Sequence, residues 1–400
     1  MFFSIILARF FGYIFQVIVG RALGPEEFSI FGTLFSIFLI FTVPATTISL
    51  VISRYTSEFK VNNDFNNIKN LMNFAFKKTI KIALIVFIII LLLSLPLSNF
   101  LRISNLYTIL IFNFSIFWSF LIPVILGILQ GLQNFKWLSF LTYFQTLSRL
   151  IIVSFFLYLG LVLNGTVLSF TIGPLFPFLL GIFALKGLFR LDDDHQDTLE
   201  LYHYTLPILL VTGIMVIMQN IDIIVVKHFF SERESGLYIA ASEIAKTIIY
   251  IGSAVSISVF PKVSELSSKS KSSFKFLKTS FILISSISLI FILLCIFFNR
   301  EITLLLFGKK YLDSANILPF FSISMSLFGV SFVIFNYLNA IKKFKFIFPL
   351  AMVLIFQIFL IFIFHSRIIE ILYILIICSF MTFLISILNY QYISCSIFHS

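Results

Sequence analysis

Charged residues are scarce in this chain. Only 11% of its 400 residues are charged and 60% are hydrophobic, whereas an ordinary soluble domain carries roughly 25% charged residues. A soluble chain of this composition would have too few polar side chains to cover its surface. The composition therefore excludes an ordinary soluble globular protein and indicates a lipid environment.

Residues and motifs for metal binding or catalysis are also missing. The three cysteines, Cys295, Cys378 and Cys395, have neither disulfide nor metal-ligand spacing, and the five histidines form no metal motif. The sequence has no phosphate-binding glycine-rich loop, nucleophile elbow or HExxH motif. We therefore expect no metal, no cofactor and no enzymatic activity. With no nucleotide-binding domain, any transport would be driven by an ion gradient or by substrate flux.

Long uncharged runs determine the predicted fold class. The runs 103–135, 150–185 and 371–400 contain no Asp, Glu, Lys or Arg, and each exceeds the roughly 20 residues that one membrane-spanning helix needs. The alternation of about ten residues that is typical of barrel strands is absent, so helices are favoured. We predict an all-α polytopic membrane protein with about twelve transmembrane helices. The predicted spans are 2–19, 29–52, 80–101, 108–130, 137–160, 166–188, 204–227, 236–260, 276–299, 314–340, 346–365 and 369–391.

Positive charge is concentrated in alternate connections between these spans, including those with Lys77, Lys78, Lys271 and Lys343. Because cytoplasmic loops carry an excess of Lys and Arg, both termini are predicted to be cytoplasmic, in the cytoplasmic (inner or plasma) membrane. The net charge of +11 is then explained by basic loops that face anionic lipid headgroups. Nucleic acid is a much weaker alternative, since no basic patch is interleaved with aromatic residues.

The sequence also contains an internal repeat. When the second half is aligned with the first, Gly24–Phe31 corresponds to Ser231–Tyr238. Each half has a polar-striped helix, a short charged outside turn, a long helix and a basic inside loop. We predict an N-terminal six-helix bundle at 1–190, an acidic cytoplasmic linker at 191–203 and a C-terminal six-helix bundle at 204–400. The Asp run of the linker could bind a divalent cation, but a solvated linker is favoured.

Several charged residues lie well inside predicted spans, away from the span ends: Arg9, Arg149, Asp222, Glu243 and Lys246. Such a charge at a helix centre costs about 2.5–3.5 kcal/mol on insertion scales, so each should face a partner or a water-filled cavity. Helical spacing places four of them, all except Glu243, on polar faces. These faces contain Arg9, Tyr13 and Gln16; Thr142, Gln145 and Arg149; Thr205, Thr212, Gln219 and Asp222; and Ser242, Lys246, Tyr250 and Ser253.

A purely structural interpretation of these charges remains open. Glu243 and Lys246, three residues apart, could neutralise each other, and Asp222 could pair with Lys246 and lock two helices together. Arg9 and Arg149 could extend their side chains to the membrane interface. We favour a functional role, because ionisable residues inside a membrane are functional by default.

The motif Arg21-x-Leu-Gly-Pro-x-Glu-Phe28 resembles the end of the first helix in polysaccharide flippases. The second half is similar to the same family at Asn220-Ile-Asp222, at Gly236-Leu-Tyr-x-Ala-Ala241 and at Val259-Phe-Pro-Lys-x-Ser264. The family is the Wzx-like branch of the multidrug/oligosaccharidyl-lipid/polysaccharide exporter superfamily, which includes O-antigen flippases. Two features depart from it: Ser29 stands where glycine is usual, and the usual polar segment ahead of the first span is missing.

The resemblance implies two bundles arranged as a V and a polyprenyl-diphosphate-linked oligosaccharide that crosses the membrane for surface polysaccharide (O-antigen, lipopolysaccharide) synthesis. Arginine suits the bidentate binding of phosphate. The expected partners are this lipid-linked oligosaccharide, membrane lipid, an H⁺ or Na⁺ coupling ion, and polysaccharide polymerase or other envelope-assembly proteins. The expected substrate-binding residues are Arg9, Gln16, Arg149, Gln219 and Lys246, and the expected ion-coupling residues are Asp222 and Glu243.

Three alternatives remain. A drug or cation antiporter of the same superfamily would favour acidic cavity residues, and the sequence has both signs. A polysaccharide polymerase or glycosyltransferase would carry a large extramembrane loop with catalytic residues, which this chain lacks. A non-transporting scaffold of envelope assembly is opposed, weakly, by the two intramembrane arginines.

Overall fold

The computed structural model describes residues 2–190, 205–268, 274–341 and 343–398, and over these ranges the chain is helical with no strand. The predicted acidic linker, 191–203, lies outside them. The helices of the first half are α1 (Phe2–Val61), α2 (Phe65–Leu92), α3 (Ser94–Leu101), α4 (Leu106–Gly131), α5 (Phe135–Tyr158), α6 (Val162–Ile172) and α7 (Leu175–Ala184). Those of the second half are α8 (Thr205–Met218), α9 (Ile221–Phe229), α10 (Glu232–Ser268), α11 (Phe274–Phe297), α12 (Asn299–Leu306), α13 (Leu318–Ala340), α14 (Ile347–Ile363) and α15 (Ile368–Phe398).

These helices confirm the predicted all-α membrane fold. Eight helices in the described ranges are long and apolar enough to cross a bilayer, and the bent pair α2–α3 makes nine. Helix α1 consists of two arms, since Gly24 interrupts it with φ 73° and ψ 172°, a conformation that glycine tolerates. The second arm of α1, α10 and the shorter apolar helix α14 lie at the three remaining predicted spans, 29–52, 236–260 and 346–365.

Two of the connections between predicted spans are largely helical, because polar residues continue the helices past their apolar runs. The predicted loop 53–79 is helical except at 62–64, where Asp64 caps α2 by accepting a 3.1 Å hydrogen bond from the Asn67 backbone. The predicted loop 261–275 is helical as far as Ser268. The predicted span 80–101 is instead the end of α2 followed by α3, with a bend of 59° between them. Helices α2 and α3 together are long and apolar enough for one span, whereas the uncharged end of α2 covers only 82–92 and is too short to cross the bilayer alone.

The described residues cluster into two compact units. The first contains Phe3–Leu23 and Ile30–Val216, and the second contains Gly24–Ser29 and Ile217–Ser400. Helix α8 therefore falls mostly in the first unit, whereas the six-residue turn between the two arms of α1 falls in the second. The two-bundle boundaries given above stay a prediction.

Small residues allow close helix packing in the first unit. A Cβ atom on Gly127 of α4 would lie 2.6 Å from the Ser49 carbonyl oxygen of α1, and one on Gly131 would lie 2.5 Å from the Ser53 oxygen. Small residues four positions apart let two helix backbones approach each other in a membrane. Next to this contact Ile125, Ile128 and Leu129 are buried with residues of α2.

In the second unit α13 packs against α10, α11 and α15. Its buried serines bond within this interface: Ser324 Oγ donates to the Leu375 carbonyl oxygen at 3.2 Å, and Ser386 Oγ lies 3.5 Å from Ser331 Oγ. Serine hydroxyls of this kind join helices where no water competes for them.

Candidate functional site

Helices α1 and α5 pack against each other inside the first unit. A Cβ atom on Gly12 would lie 3.6 Å from Thr146 Cγ2, and the Phe11 and Tyr143 rings are 6.4 Å apart. Gly12 lies about one turn from Arg9 and from Gln16, and Thr146 lies one turn from Arg149. Arg9 is exposed, whereas Gln16 is only 5% exposed. The packing of α1 against α5 therefore brings together the helices of the three predicted polar residues of this unit.

The Arg149 side chain lies on aromatic rings. Its guanidinium carbon is 4.5 Å from the centroid of Phe170 and 5.8 Å from that of Phe38. The Nε atom is buried and has no hydrogen-bond partner among the described residues. A guanidinium held over an aromatic face keeps its remaining donors in one plane, which suits recognition of an anion.

Phe170 of α6 is the centre of this aromatic cluster. Its ring lies 5.3–5.6 Å from the rings of Phe15, Phe31, Phe35 and Phe38, all on α1. On another side it borders a small apolar pocket whose lining includes Phe112 and Val167. The Arg149 guanidinium therefore lies against an aromatic cluster that is otherwise apolar.

A glycine fixes the path of the Arg149 side chain. A Cβ atom on Gly173, between α6 and α7, would lie 2.6 Å from Arg149 Cγ. The adjacent Ser148 Oγ donates a 3.0 Å hydrogen bond to the Gly173 carbonyl oxygen. The position of Arg149 therefore depends on the absence of a side chain at residue 173.

The second unit contains a helix break next to buried charges. Helix α8 ends at Met218 and α9 begins at Ile221, so Gln219 and Asn220 are non-helical. Gln219 is partly buried. The Gln357 Nε2 atom of α14 donates a 2.9 Å hydrogen bond to the Met218 carbonyl oxygen. Broken helices within a membrane need such partners for their freed backbone groups, and in transporters they often border binding sites.

Buried polar side chains surround this break. Asp222, in the first turn of α9, accepts a 2.8 Å hydrogen bond from the Tyr238 hydroxyl of α10. Lys246 Nζ donates to Asn220 Oδ1 at 3.0 Å and lies 3.4 Å from Glu243 Oε1. All five residues are buried. We call Asn220, Asp222, Tyr238, Glu243 and Lys246 the charge cluster.

The charge cluster has spare acceptor atoms and an excess of negative charge. Asp222 Oδ1 and Glu243 Oε2 are buried and have no hydrogen-bond donor among the described residues. Helices α13 and α14, which pack against α10 and α9, contain no charged residue over Leu318–Ala340 and Ile347–Ile363. The cluster therefore contains two carboxylates against one ammonium, and it could hold one further proton or monovalent cation.

The predicted site residues are divided between the two units. Arg9, Gln16 and Arg149 belong to the first unit, and Gln219, Asp222, Glu243 and Lys246 to the second. Sequence reasoning missed Phe170, Tyr238 and Gln357. Asn220 and Tyr238 lie inside motifs that the sequence had already singled out. Gln357 is the only strongly polar residue of α14, and this isolation was a signal for it.

Comparisons with known proteins agree with this architecture. A family described as "Polysaccharide biosynthesis protein" matches residues 1–267. A membrane protein of Methanocaldococcus jannaschii, described as uncharacterized, is 33% identical over 198 residues, which are 46% of each chain. The matched region thus spans about half the length of that relative.

Solved transporter structures share the fold. An inward-facing multidrug resistance MATE family transporter of the MOP superfamily has a TM-score of 0.76 and 14% identity, with 96% of this chain and 95% of that chain covered. The lipid II flippase MurJ in an inward closed conformation has a TM-score of 0.72 and 17% identity, with 97% and 87% covered. The MATE transporter VcmN of Vibrio cholerae has a TM-score of 0.64 and 14% identity, with 99% and 95% covered. At these identities the likeness shows the fold alone.

Proposed function

Because the chain belongs to the polysaccharide biosynthesis protein family, we propose that this multi-pass membrane protein is a flippase for a polyprenyl-diphosphate-linked oligosaccharide. It would work in the cytoplasmic membrane with both termini in the cytoplasm, and its product would pass to a polysaccharide polymerase or other envelope-assembly proteins. The observation that carries the proposal is the Arg149 guanidinium, held in a membrane-spanning helix, whose buried Nε atom has no hydrogen-bond partner among the described residues.

An anionic amphiphile fits the surroundings of Arg149. A diphosphate offers several oxygens to the guanidinium, while Phe170 and the apolar pocket beside it exclude water, which strengthens that interaction. Arg9 would attract the anion from the exposed part of the same packed helix pair, and Gln16 would accept or donate hydrogen bonds to a sugar. For Gln219, which lies beside the helix break of the second unit, substrate binding stays a prediction.

Lys246 has a different part in this proposal from Arg149. Its ammonium is buried and bonded to Asn220 and Glu243, so it meets substrate only if these bonds break. We therefore assign it to the charge cluster. Asp222 and Glu243 would take up and release an H⁺ or Na⁺, and a change in the charge of the cluster would be the link between that ion and transport.

The experiment uses cells whose surface polysaccharide depends on this protein. Arg149→Ala, Arg9→Ala and Arg149→Lys variants are compared at equal membrane abundance, and surface polymer and lipid-linked precursor are both measured. We expect Arg149→Ala to abolish surface polymer while precursor accumulates, and Arg149→Lys to restore part of it, because lysine keeps the charge without the planar fork. Arg367→Ala is the matched control, since Arg367 is exposed near the start of α15.

Two results would contradict the proposal. Normal polymer in Arg149→Ala at normal abundance would show that the proposed anion site is wrong. Loss of polymer without accumulation of precursor would place the defect before translocation and would also contradict the proposal.

Export of a cationic drug is the second candidate function. The observation that favours it is the buried pair of carboxylates, Asp222 and Glu243, because acidic residues suit a cationic substrate. In that case Asp222→Asn would increase drug sensitivity of the cells, whereas Arg149→Ala would leave their surface polymer unchanged.

A further inference from the structure

Helix α2 presents one exposed face along most of its length. Its opposite face is buried, where Ile68, Leu71 and Met72 belong to one apolar cluster with residues of α4. This packing fixes the rotation of α2 in the first unit. Residues three or four positions apart on the other side therefore form a continuous accessible face.

The first part of this face carries carboxamide groups. They belong to Asn66, Asn70 and Asn73, of which Asn66 is exposed and the other two are half-buried. Asn67 caps the helix instead, since its Nδ2 atom donates a 2.6 Å hydrogen bond to Asp64 Oδ2. A carboxamide both donates and accepts hydrogen bonds, as a sugar hydroxyl does.

The middle part of the face is cationic. Lys77, Lys78 and Lys81 lie within little more than one helical turn. Lys77 and Lys81 are exposed, and Lys78 Nζ lies 5.3 Å from the centroid of the Phe74 ring. The sequence has no Asp or Glu in 65–190, so no carboxylate of α2–α7 offsets these charges. The three ammonium groups are complementary to a group with several negative charges.

The last part of the face is hydrocarbon. Leu84, Ile85 and Ile88 are 47–51% exposed, and Leu92 is 74% exposed. The uncharged end of α2, 82–92, is about 16 Å long, which is about half the thickness of the hydrocarbon core. This length matches one leaflet, and it places the three lysines at the level of the lipid headgroups.

From this order of groups we propose that the exposed face of α2 is a docking surface for the lipid-linked substrate. Carboxamide, ammonium and hydrocarbon follow one another along the helix as sugar, diphosphate and polyprenyl chain do in a substrate that stands in one leaflet. The inference rests on the proposed function and adds a second site to it. Arg149 is buried on α5, whereas this surface is exposed and lies at the predicted cytoplasmic end of the first unit.

The asparagines favour a glycosylated lipid over an ordinary anionic phospholipid. Asn66 lies about 16 Å before Lys77 along the helix axis. The headgroup layer of a bilayer adds only about 5–8 Å outside the hydrocarbon core. A phospholipid with its phosphate at the lysines therefore ends below Asn66, whereas an oligosaccharide reaches it.

The test measures the affinity of radiolabelled lipids for the full-length protein in detergent. All variants carry Arg149→Ala, so that the buried anion site does not contribute to binding. The three probes are a polyprenyl diphosphate that carries a disaccharide, the same polyprenyl diphosphate without sugar, and phosphatidylglycerol. We expect the disaccharide probe to bind at least fivefold more tightly than either of the others.

Two sets of substitutions examine the two polar parts of the surface. Combined replacement of the three lysines by glutamine should weaken binding of both diphosphate probes at least tenfold, because all the ammonium groups are lost. Combined replacement of the three asparagines by alanine should remove the preference for the disaccharide and leave the sugar-free probe unchanged. Lys136→Gln is the matched control, since Lys136 is exposed at the start of α5, and it should leave all affinities unchanged.

A photo-cross-link locates the bound probe and remains informative if a combined variant fails to fold. With p-benzoylphenylalanine in place of Phe74, illumination should attach the disaccharide probe to α2. The same amino acid in place of Phe140, which is 39% exposed on α5, should give at most a tenth of that product. Equal products at the two positions would contradict the docking surface.

Two affinity results would also overturn it. Equal affinities for phosphatidylglycerol and the disaccharide probe would identify a general site for anionic lipids, and unchanged binding after loss of the three lysines would exclude them as the site. Either result, together with loss of surface polymer in Arg149→Ala cells, would reject the docking surface and keep the proposed function. Binding that behaves as expected, together with normal polymer in Arg149→Ala cells, would keep the docking surface and reject the role of Arg149.

Discussion

The Tyr238 hydroxyl donates a 2.8 Å hydrogen bond to Asp222 Oδ2 and thereby joins α10 to the first turn of α9. Both residues are completely buried. Since Asp222 Oδ1 has no donor among the residues that the structure describes, this bond supplies a large part of the solvation of the carboxyl group.

Removal of the Tyr238 hydroxyl should therefore destabilise the protein. For Tyr238→Phe we expect a loss of about 1.5–3 kcal/mol, the range for a hydrogen bond to a charged group, seen as a lower melting temperature in detergent. Tyr158→Phe is the control, because Tyr158 is 88% exposed and should tolerate the change. Equal melting temperatures of the two variants would show that the bond contributes nothing to stability.

The carboxylate and the ammonium of the charge cluster should depend on each other. Lys246→Met alone leaves the two buried carboxylates of the cluster without a counter-charge, which costs about 3–5 kcal/mol, whereas Asp222→Asn alone leaves Lys246 3.4 Å from Glu243 and should cost less. The double variant removes both charges, so we expect it to be more stable than the sum of the two single effects predicts. The measurement is a double-mutant cycle on thermal stability, and strict additivity would mean that the two side chains do not interact.

Gly173→Ala should impair function by displacing Arg149. Its added Cβ atom would lie 2.6 Å from Arg149 Cγ and also 2.6 Å from the Ser169 carbonyl oxygen, so both the Arg149 side chain and the backbone between α6 and α7 are under pressure to move. We expect surface polymer to fall as in Arg149→Ala, with normal membrane abundance. Gly187→Ala is the control, because a Cβ atom there would meet nothing within 4 Å, and it should keep normal surface polymer. A Gly173→Ala variant with normal surface polymer would show that transport does not depend on the path of the Arg149 side chain.

Gly131→Ala should loosen the packing of α4 on α1. A Cβ atom there would overlap the Thr56 side chain and lie 2.5 Å from the Ser53 carbonyl oxygen, so the helices must separate. Overpacking of this kind costs about 1–3 kcal/mol, which should reduce membrane abundance and the melting temperature. Gly12→Ala is the control, because its Cβ atom would lie 3.6 Å from Thr146 Cγ2, and it should hardly change the melting temperature. Equal melting temperatures of the two variants would contradict this account of the packing.

The sequence alone determined the fold class, because it depends on length and hydrophobicity. Runs such as 103–135 are long enough for a bilayer and contain no charge, and only helices can satisfy the backbone there. The helix ends were harder to predict. The polar segment from Phe65 to Lys81 looks like a loop by composition, yet it extends α2, since a helix can leave the membrane without ending.

The sequence also identified the unusual residues of the site, since a charge inside a span is conspicuous. It could not determine their partners, because contacts between residues far apart in the chain depend on helix rotation and depth. Asp222 meets Tyr238 and Lys246 meets Asn220, whereas Arg149 lies against Phe170. Only the tertiary structure decided that Lys227, the last residue of the predicted span 204–227, is buried against Ser29. The physical reason is that burial of a side chain is a property of the packed helices around it, and composition along the chain does not contain that information.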